Sequence, residues 1–211
     1  MVGLWGGALL SGCSPGAPAS PSAPLATRPP APPPAPSLDD GKWGELDSQR
    51  FALRLPLPSA VRWTVDDRRD PWLLARDPAT HSELKLRAWR APRRVAPADC
   101  EVEARALGPT LPRPGSEDLV ERSALRLDSG LVLQLVSAAR PLPGPEGVEG
   151  YALGFGAMTG RCLALVYETS ERGPEAAARV GARLAVVVDG MFARVSFRHV
   201  EDRGHEARPE R

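Results

Sequence analysis

Residues 14–37 constrain the fold more strongly than any other stretch, because they cannot form part of a folded domain. Ten of these 24 residues are proline, Arg28 carries the sole charge, and the apolar residues follow neither a helical nor a strand period. Such a segment cannot bury enough apolar surface to offset the entropy lost on ordering it. We therefore predict an extended spacer, rising about 3.1 Å per residue where it adopts polyproline II, and a folded domain that begins at Leu38.

An uncharged apolar run, residues 2–10, precedes the spacer and leads into Leu10-Ser11-Gly12-Cys13. An apolar run followed by small residues is typical of a signal peptide, and this one has about half the length that a membrane-spanning helix needs. The four residues resemble the lipobox of bacterial lipoproteins, although no Lys or Arg precedes the apolar run. The resemblance implies cleavage before Cys13 and acylation of its thiol and new N-terminus. The alternative is a buried N-terminal element with an ordinary core cysteine.

The resemblance also implies where the protein resides. Two or three acyl chains on Cys13 would hold it on a membrane, since each buried methylene contributes about 0.8 kcal/mol and stable anchoring needs more than one chain. Ser14 rather than Asp follows the cysteine, which resembles the pattern of Gram-negative lipoproteins sorted to the outer membrane. We expect a lipid-anchored protein of the cell envelope, on the outer membrane and facing the periplasm or the surface.

The charge balance beyond the spacer restricts the class of partner. From Leu38 onward the chain carries 26 acidic and 26 basic residues. A domain so close to neutral is not a nucleic-acid binder driven by net charge. The sequence therefore divides into a signal peptide (1–12), a lipidated cysteine with its tether (13–37), one domain (38–200) and a charged tail (201–211).

Hydrophobic periodicity predicts an α+β fold. Alternating or short apolar runs predict strands over 49–55, 61–65, 72–76 and 84–89, and two further strand pairs over 119–127 with 131–139 and 149–157 with 161–169. A helix is predicted from Pro97 to Gly108, a second from Gly173 to Met191, and a last strand over 192–200. This order indicates a single domain in which about two helices pack on an antiparallel sheet.

The same order of elements is similar to the α/β/α sandwich of PsbP-like proteins. The similarity spans roughly residues 45–200, is architectural, and depends on no diagnostic motif. It implies a binding or assembly role, which a fold by itself does not establish.

Cys100 and Cys162 are the two cysteines left once Cys13 is acylated. An oxidising envelope compartment favours a disulfide between them. A bridge would close a loop of about 60 residues, and two separate buried thiols are the alternative. The sequence alone does not bring their Cα atoms within bridging distance.

Sites for catalysis or metal binding are not indicated. The chain has no G-x-S-x-G, H-E-x-x-H, C-x-x-C or phosphate-loop motif. His81 lies in a predicted loop, and His199 and His205 lie near the C-terminal end, where a solvated role is favoured over a metal site. A group of carboxylates is interpreted as solvated loop residues: Glu45, Asp47, Asp66, Asp67, Asp70 and Asp77. We expect no catalytic residue, metal or cofactor.

A basic run is the best local candidate for a ligand site. Arg87, Arg90, Arg93 and Arg94 interleave with Trp89, and arginines bind anionic groups through bidentate contacts. Trp89, Arg90, Arg93 and Arg94 are therefore the candidate ligand-binding residues. The alternative, which the sequence favours, is that these arginines pair with acidic residues of the following helix.

These features together favour a non-catalytic binding or assembly module, anchored to a membrane through Cys13 and serving an envelope protein or ligand. Two other functions remain open. An envelope hydrolase with dispersed catalytic residues would need a pocket holding a titratable group with a shifted pKa. A carrier of an apolar ligand would need a cavity between sheet and helix.

Overall fold

The computed structural model describes residues 36–68, 71–92, 95–108, 110–116, 118–144, 146–158 and 160–198. These residues belong to one compact unit, Ala35–Arg211. Over them the chain forms ten strands and two α-helices, so the predicted α+β class with antiparallel sheets is confirmed. The predictions for the lipobox, for most of the tether and for the charged tail lie outside the described residues.

The strands form two antiparallel sheets rather than one. The smaller sheet has the order β1-β2-β10, and the larger has the order β3-β4-β5-β9-β8-β7-β6. In chain order the strands are β1 (Trp43–Ser48), β2 (Leu53–Pro58), β3 (Thr64–Asp66), β4 (Leu73–Asp77), β5 (Ser82–Arg90), β6 (Leu119–Arg126), β7 (Val132–Pro141), β8 (Gly147–Met158), β9 (Arg161–Arg172) and β10 (Ser196–Phe197).

Both predicted helices are present. Helix α1 spans Pro97–Ala106, and the Asp99 carboxylate accepts a hydrogen bond from the Ala96 backbone N–H at 3.0 Å, which closes its first turn. Helix α2 spans Ala176–Ala185 and continues as a π-helical turn, Val186–Met191, and a 3-10 turn, Phe192–Arg194. No helix within the described residues is long and apolar enough to cross a membrane.

The larger sheet is covered on both faces. Because side chains alternate along a strand, Leu163, Leu165 and Tyr167 of β9 pack on the side of α2 and the smaller sheet. Ala164 and Val166 point the other way, into the cluster that contains Ala104 of α1. Burial on both faces explains why β8 and β9 consist of nearly continuous apolar runs.

A disulfide joins Cys100 of α1 to Cys162 of β9, and the two Cα atoms lie 5.5 Å apart. Both residues are buried. The disulfide prediction is confirmed, and the alternative of two separate thiols is wrong. The bond attaches α1 to a central strand of the larger sheet.

Three predicted strands need correction at their ends. Residues 49–52 form a turn, because the Ser48 hydroxyl accepts a hydrogen bond from the Phe51 backbone N–H at 3.2 Å. Ala60–Arg62 is a 3-10 turn, which leaves Val61 93% exposed, so that of the three alternating apolar positions only Trp63 is buried. The predicted strand 192–200 starts as the 3-10 turn noted above, which buries Phe192, and β10 contains two residues.

Strand β1 was absent from the sequence-based prediction. Its apolar core contacts are the buried Leu46 and the partly buried Trp43. These two positions are three residues apart, which is not the alternation of a strand. The strand is held by its antiparallel pairing with β2 along its whole length.

Candidate functional site

A groove of about 460 Å³ between α2 and the strands β6 and β7 is the best candidate site. Helix α2 packs mainly on β8 and β9 and also reaches β7, so the edge strand β6 extends beyond it. The face of β6 directed toward α2, with the adjoining part of β7, forms the floor of the groove, and α2 forms one wall. A volume of this size is typical of sites that bind ligands or peptide segments.

The floor is set by the pairing of β6 with β7. Leu119 lies opposite Ala139, and Ser123 lies opposite Leu135, on the face directed toward α2. Leu119 is 80% exposed, although it is a large apolar residue. An exposed leucine over small neighbours leaves apolar surface open to a partner.

The wall of the groove is also apolar. Leu184, Ala185 and Val188 line it, and Gly181 leaves open space above the helix backbone, with no atom within 4 Å of the position that a Cβ would take. Among the described strands, β6 has one neighbour in the sheet. Its outer edge is therefore a place where an added strand could form hydrogen bonds.

The charged residues lining the groove are both acidic. Glu121 lies on the floor and Asp189 on the wall, and within the described residues neither forms an ion pair. No histidine, cysteine or lysine is among the described residues that line it. The groove therefore has the chemistry of a binding surface for apolar and basic groups, and no histidine among its described lining residues could act as a base for its serines.

The structure separates the residues of the predicted basic site. Alternation along β5 places Trp89 and Arg87 on the face of α1 and Arg90 on the opposite face, where Arg90 pairs with Arg161 across the strands. Arg93 and Arg94 lie outside the described residues. Arg87 and Arg90 form no ion pair with the described residues of α1, and Glu101 pairs instead with Arg105 at 2.8 Å.

The carboxylates named from the sequence have structural partners where they are described. Arg54 Nε lies 3.5 Å from the Glu45 carboxylate and 3.8 Å from that of Asp47. The Asp67 carboxylate accepts a hydrogen bond from the Ser48 hydroxyl at 3.0 Å. His81 is an exposed turn residue with a φ of 48°. Asp70, His199 and His205 lie outside the described residues, and within those residues no group of His, Cys, Asp and Glu is placed to hold a metal.

Sequence reasoning missed a buried polar network at the other end of the larger sheet. Ser82 Oγ lies 2.8 Å from the Tyr167 hydroxyl and 2.9 Å from Thr80 Oγ1. Arg183 of α2 donates hydrogen bonds to the Thr80 carbonyl at 2.9 Å and to Thr169 Oγ1 at 3.2 Å. Burial raises the pKa of Tyr167. Arg183 and Thr80 are 103 positions apart in sequence, so no local pattern pointed to this network.

The same network holds the first described residues of the domain. Arg62 Nη2 lies 2.9 Å from the buried Asp77 carboxylate, and it donates a second hydrogen bond to the Leu38 carbonyl at 3.0 Å. The Ser59 hydroxyl donates to the same carbonyl at 2.9 Å. The point where the tether meets the domain is therefore fixed to the core.

Comparisons with known proteins identify no family for this chain. No family model matches it, and no curated protein matches its sequence. A solved structure from Bacteroides thetaiotaomicron VPI-5482 is similar over 73% of this chain, at 9% sequence identity and a TM-score of 0.44. The alignment covers 48% of that protein, so this chain spans about half of its length.

Proposed function

We propose that this chain is a lipid-anchored envelope protein whose α+β domain binds a partner polypeptide in the groove between α2 and β6–β7. The lipobox-like residues ending at Cys13 and the Pro-rich tether support the anchor. The groove itself is the observation that carries the binding role, because it combines exposed apolar surface with a free strand edge.

The chemistry of the groove specifies the partner segment. A segment with apolar side chains would cover the exposed or half-buried apolar side chains of Leu119, Ala185 and Val188. Basic residues at its margins would meet Glu121 and Asp189, which have no cationic partner among the described residues. Such a segment would also extend the sheet if it paired with the free edge of β6.

Site-specific photo-crosslinking in the native cells tests this proposal. A photoreactive residue at Ser137, in the floor of the groove, should give one discrete adduct with an envelope protein. The same residue at Val61, which is 93% exposed and is not among the described residues that line the groove, serves as the matched control and should give none. Adding Ala139→Arg places bulk and positive charge in the floor and should reduce the Ser137 adduct at least tenfold.

Two results would contradict the proposal. One is an adduct from Val61 as strong as that from Ser137, which would indicate chance collision. The other is a Ser137 adduct that Ala139→Arg leaves unchanged, since its formation would then not require the groove. Thermal unfolding of each variant shows whether the domain remains folded.

Carriage of an apolar ligand is a second candidate, because apolar residues line much of the floor and wall and the groove volume of about 460 Å³ is sufficient for a small ligand. Native mass spectrometry of the full-length chain distinguishes it from the first. A bound small molecule that Ala139→Arg removes, without any protein adduct, would support the carrier. An envelope hydrolase has less support, because no histidine, cysteine or lysine is among the described groove residues.

A further inference from the structure

Four buried N–H groups on the opposite face of the larger sheet lack a hydrogen-bond acceptor among the described residues. They are Trp72 Nε1, Trp89 Nε1, and the Nε and Nη1 of Arg87. Buried donors are nearly always paired in folded proteins, so unpaired ones indicate a water, an ion or a ligand. Four such donors on three neighbouring residues make this the strongest unexplained feature of the described domain.

The three side chains lie together. The guanidinium carbon of Arg87 is 5.8 Å from the centroid of the Trp89 ring. Leu73 of β4 pairs with Leu86 of β5, and continuing that register by one residue brings Trp72 opposite Arg87. Trp72 is 3% exposed, whereas Arg87 and Trp89 are half-buried, so other parts of these two β5 side chains meet solvent while the four unpaired N–H groups are buried.

Arg87 has no ion pair among the residues that the structure describes. The carboxylates nearby form ion pairs with Lys85, which lies two residues earlier on the same face. Lys85 Nζ is 3.1 Å from Glu83 and also bonds to Glu168. No described acidic residue pairs with Arg87. A partly buried charge without a counterion is unfavourable, and an anion bound from solution would relieve that cost.

We propose that Arg87, Trp72 and Trp89 form a binding site for a phosphate group. Arginine presents its donors in a fork that matches the oxygens of a phosphate. Rotation about the torsions of the half-buried Arg87 side chain would bring its unpaired donors to the anion. The two indole N–H groups add donors to those of Arg87, and several donors suit the several oxygens of a phosphate better than the two of a carboxylate.

This site is independent of the groove. The groove uses the face of the sheet that α2 covers, whereas Arg87 lies on the face of α1. It also differs from the site expected from the sequence, because Arg87 replaces Arg90 as the arginine beside Trp89. Loss of one site would leave binding at the other unchanged.

Nuclear magnetic resonance of the full-length chain tests the site. On titration with inorganic phosphate, the indole N–H resonances assigned by Trp72→Phe and Trp89→Phe should shift and saturate. Arg87→Gln should raise the apparent Kd for phosphate at least tenfold. The matched control is Arg76→Gln, an exposed arginine of β4 on the same face that pairs with Glu83 at 2.7 Å, and its Kd should stay within twofold of wild type.

The source of the phosphate is distinguished by a second titration with lipid vesicles. Shifts with phosphatidylglycerol vesicles, but not with free phosphate, would identify a lipid headgroup, and the reverse would identify a soluble phosphate ligand. The proposal fails if neither titrant shifts the two indole resonances of the wild-type chain, a measurement that requires no variant to fold. It also fails if Arg87→Gln binds as tightly as wild type.

Discussion

Asp77 is a fully buried carboxylate at the end of β4, and its partners explain why it is tolerated there. Arg62 lies 2.9 Å away, the Thr80 hydroxyl donates to it at 2.9 Å, and the Ala79 backbone N–H donates at 3.1 Å. A buried charge that keeps its cation and its hydrogen bonds is close to neutral for stability, whereas loss of the cation is costly.

Replacing Arg62 therefore has a large expected effect. Arg62→Met would leave the buried Asp77 carboxylate unpaired and lower the free energy of unfolding by about 3–5 kcal/mol. Arg76→Met is the matched control, because Arg76 forms an exposed pair with Glu83 and should lose less than about 1 kcal/mol. Urea unfolding followed by tryptophan fluorescence measures both, and equal losses would contradict the role assigned to Asp77.

The pKa values of the two tyrosines of the chain show the effect of burying their hydroxyl groups. Burial, reinforced by the hydrogen bond of its hydroxyl to Asp118 at 2.9 Å, raises the pKa of Tyr151 to about 12. Burial also raises the pKa of Tyr167. Because both folded-state pKa values exceed the ordinary value of 10.0, their contribution to stability is complete below that pH and is lost as the pH rises through the folded-state values.

An alkaline titration of tyrosinate absorbance checks these pKa values. The folded chain should show little tyrosinate at a pH at which the urea-unfolded chain is half ionised. Asp118→Asn removes the carboxylate that accepts the hydrogen bond of the Tyr151 hydroxyl. It should therefore lower the pKa of Tyr151 and leave that of Tyr167 unchanged. A folded chain that titrates together with the unfolded one would contradict the burial of both rings.

Among the elements, those with strong local patterns were predictable. The hairpins β6–β7 and β8–β9 and both helices follow from apolar periodicity and from Pro and Gly at their ends. The 3-10 turn at Ala60–Arg62 depends instead on Ser59, whose left-handed conformation, with a φ of 49°, is held by its contact with Leu38. Long-range contacts of this kind leave no signal in the local sequence.

The disulfide fixes the position of one element relative to another, because it links α1 covalently to β9. For a bridge between residues 62 positions apart, the chain-entropy model gives a stabilisation of about 4 kcal/mol. The Cys100→Ala, Cys162→Ala double variant should lose about this amount in urea unfolding, and reduction of the wild-type chain should cause a similar loss. A double variant as stable as wild type would contradict the constraint.

Packing of α2 against the sheet depends on a glycine of β8. A Cβ at Gly150 would lie 2.3 Å from Val180 Cγ1 and 3.2 Å from Leu184 Cδ1. Gly150→Ala should therefore force α2 away from the sheet and cost about 1–3 kcal/mol.

Gly181, on the open side of the same helix, is the matched control. No atom lies within 4 Å of the position of its Cβ, so Gly181→Ala should stabilise the helix by up to about 1 kcal/mol. Thermal unfolding of both variants measures the difference. Destabilisation of similar size at both positions would contradict the packing described for α2.

At the scale of the whole molecule, the fold class was predictable and the groove was not. The α+β class follows from the order of predicted strands and helices. The groove exists because α2 packs mainly on β8 and β9 and does not extend over β6, and that placement depends on contacts between distant parts of the chain. The phosphate site has the same origin, since pairing of β4 with β5 brings Trp72 to Arg87.

The anchor is the central claim about the whole molecule, because it determines which partners the domain can meet. The most direct test follows labelled palmitate and membrane fractionation of the full-length chain in a Gram-negative host, with Cys13→Ala as the control. We predict that the wild-type chain carries label and sediments with the membrane, and that the variant loses both. An unlabelled, soluble wild-type chain would contradict the anchor.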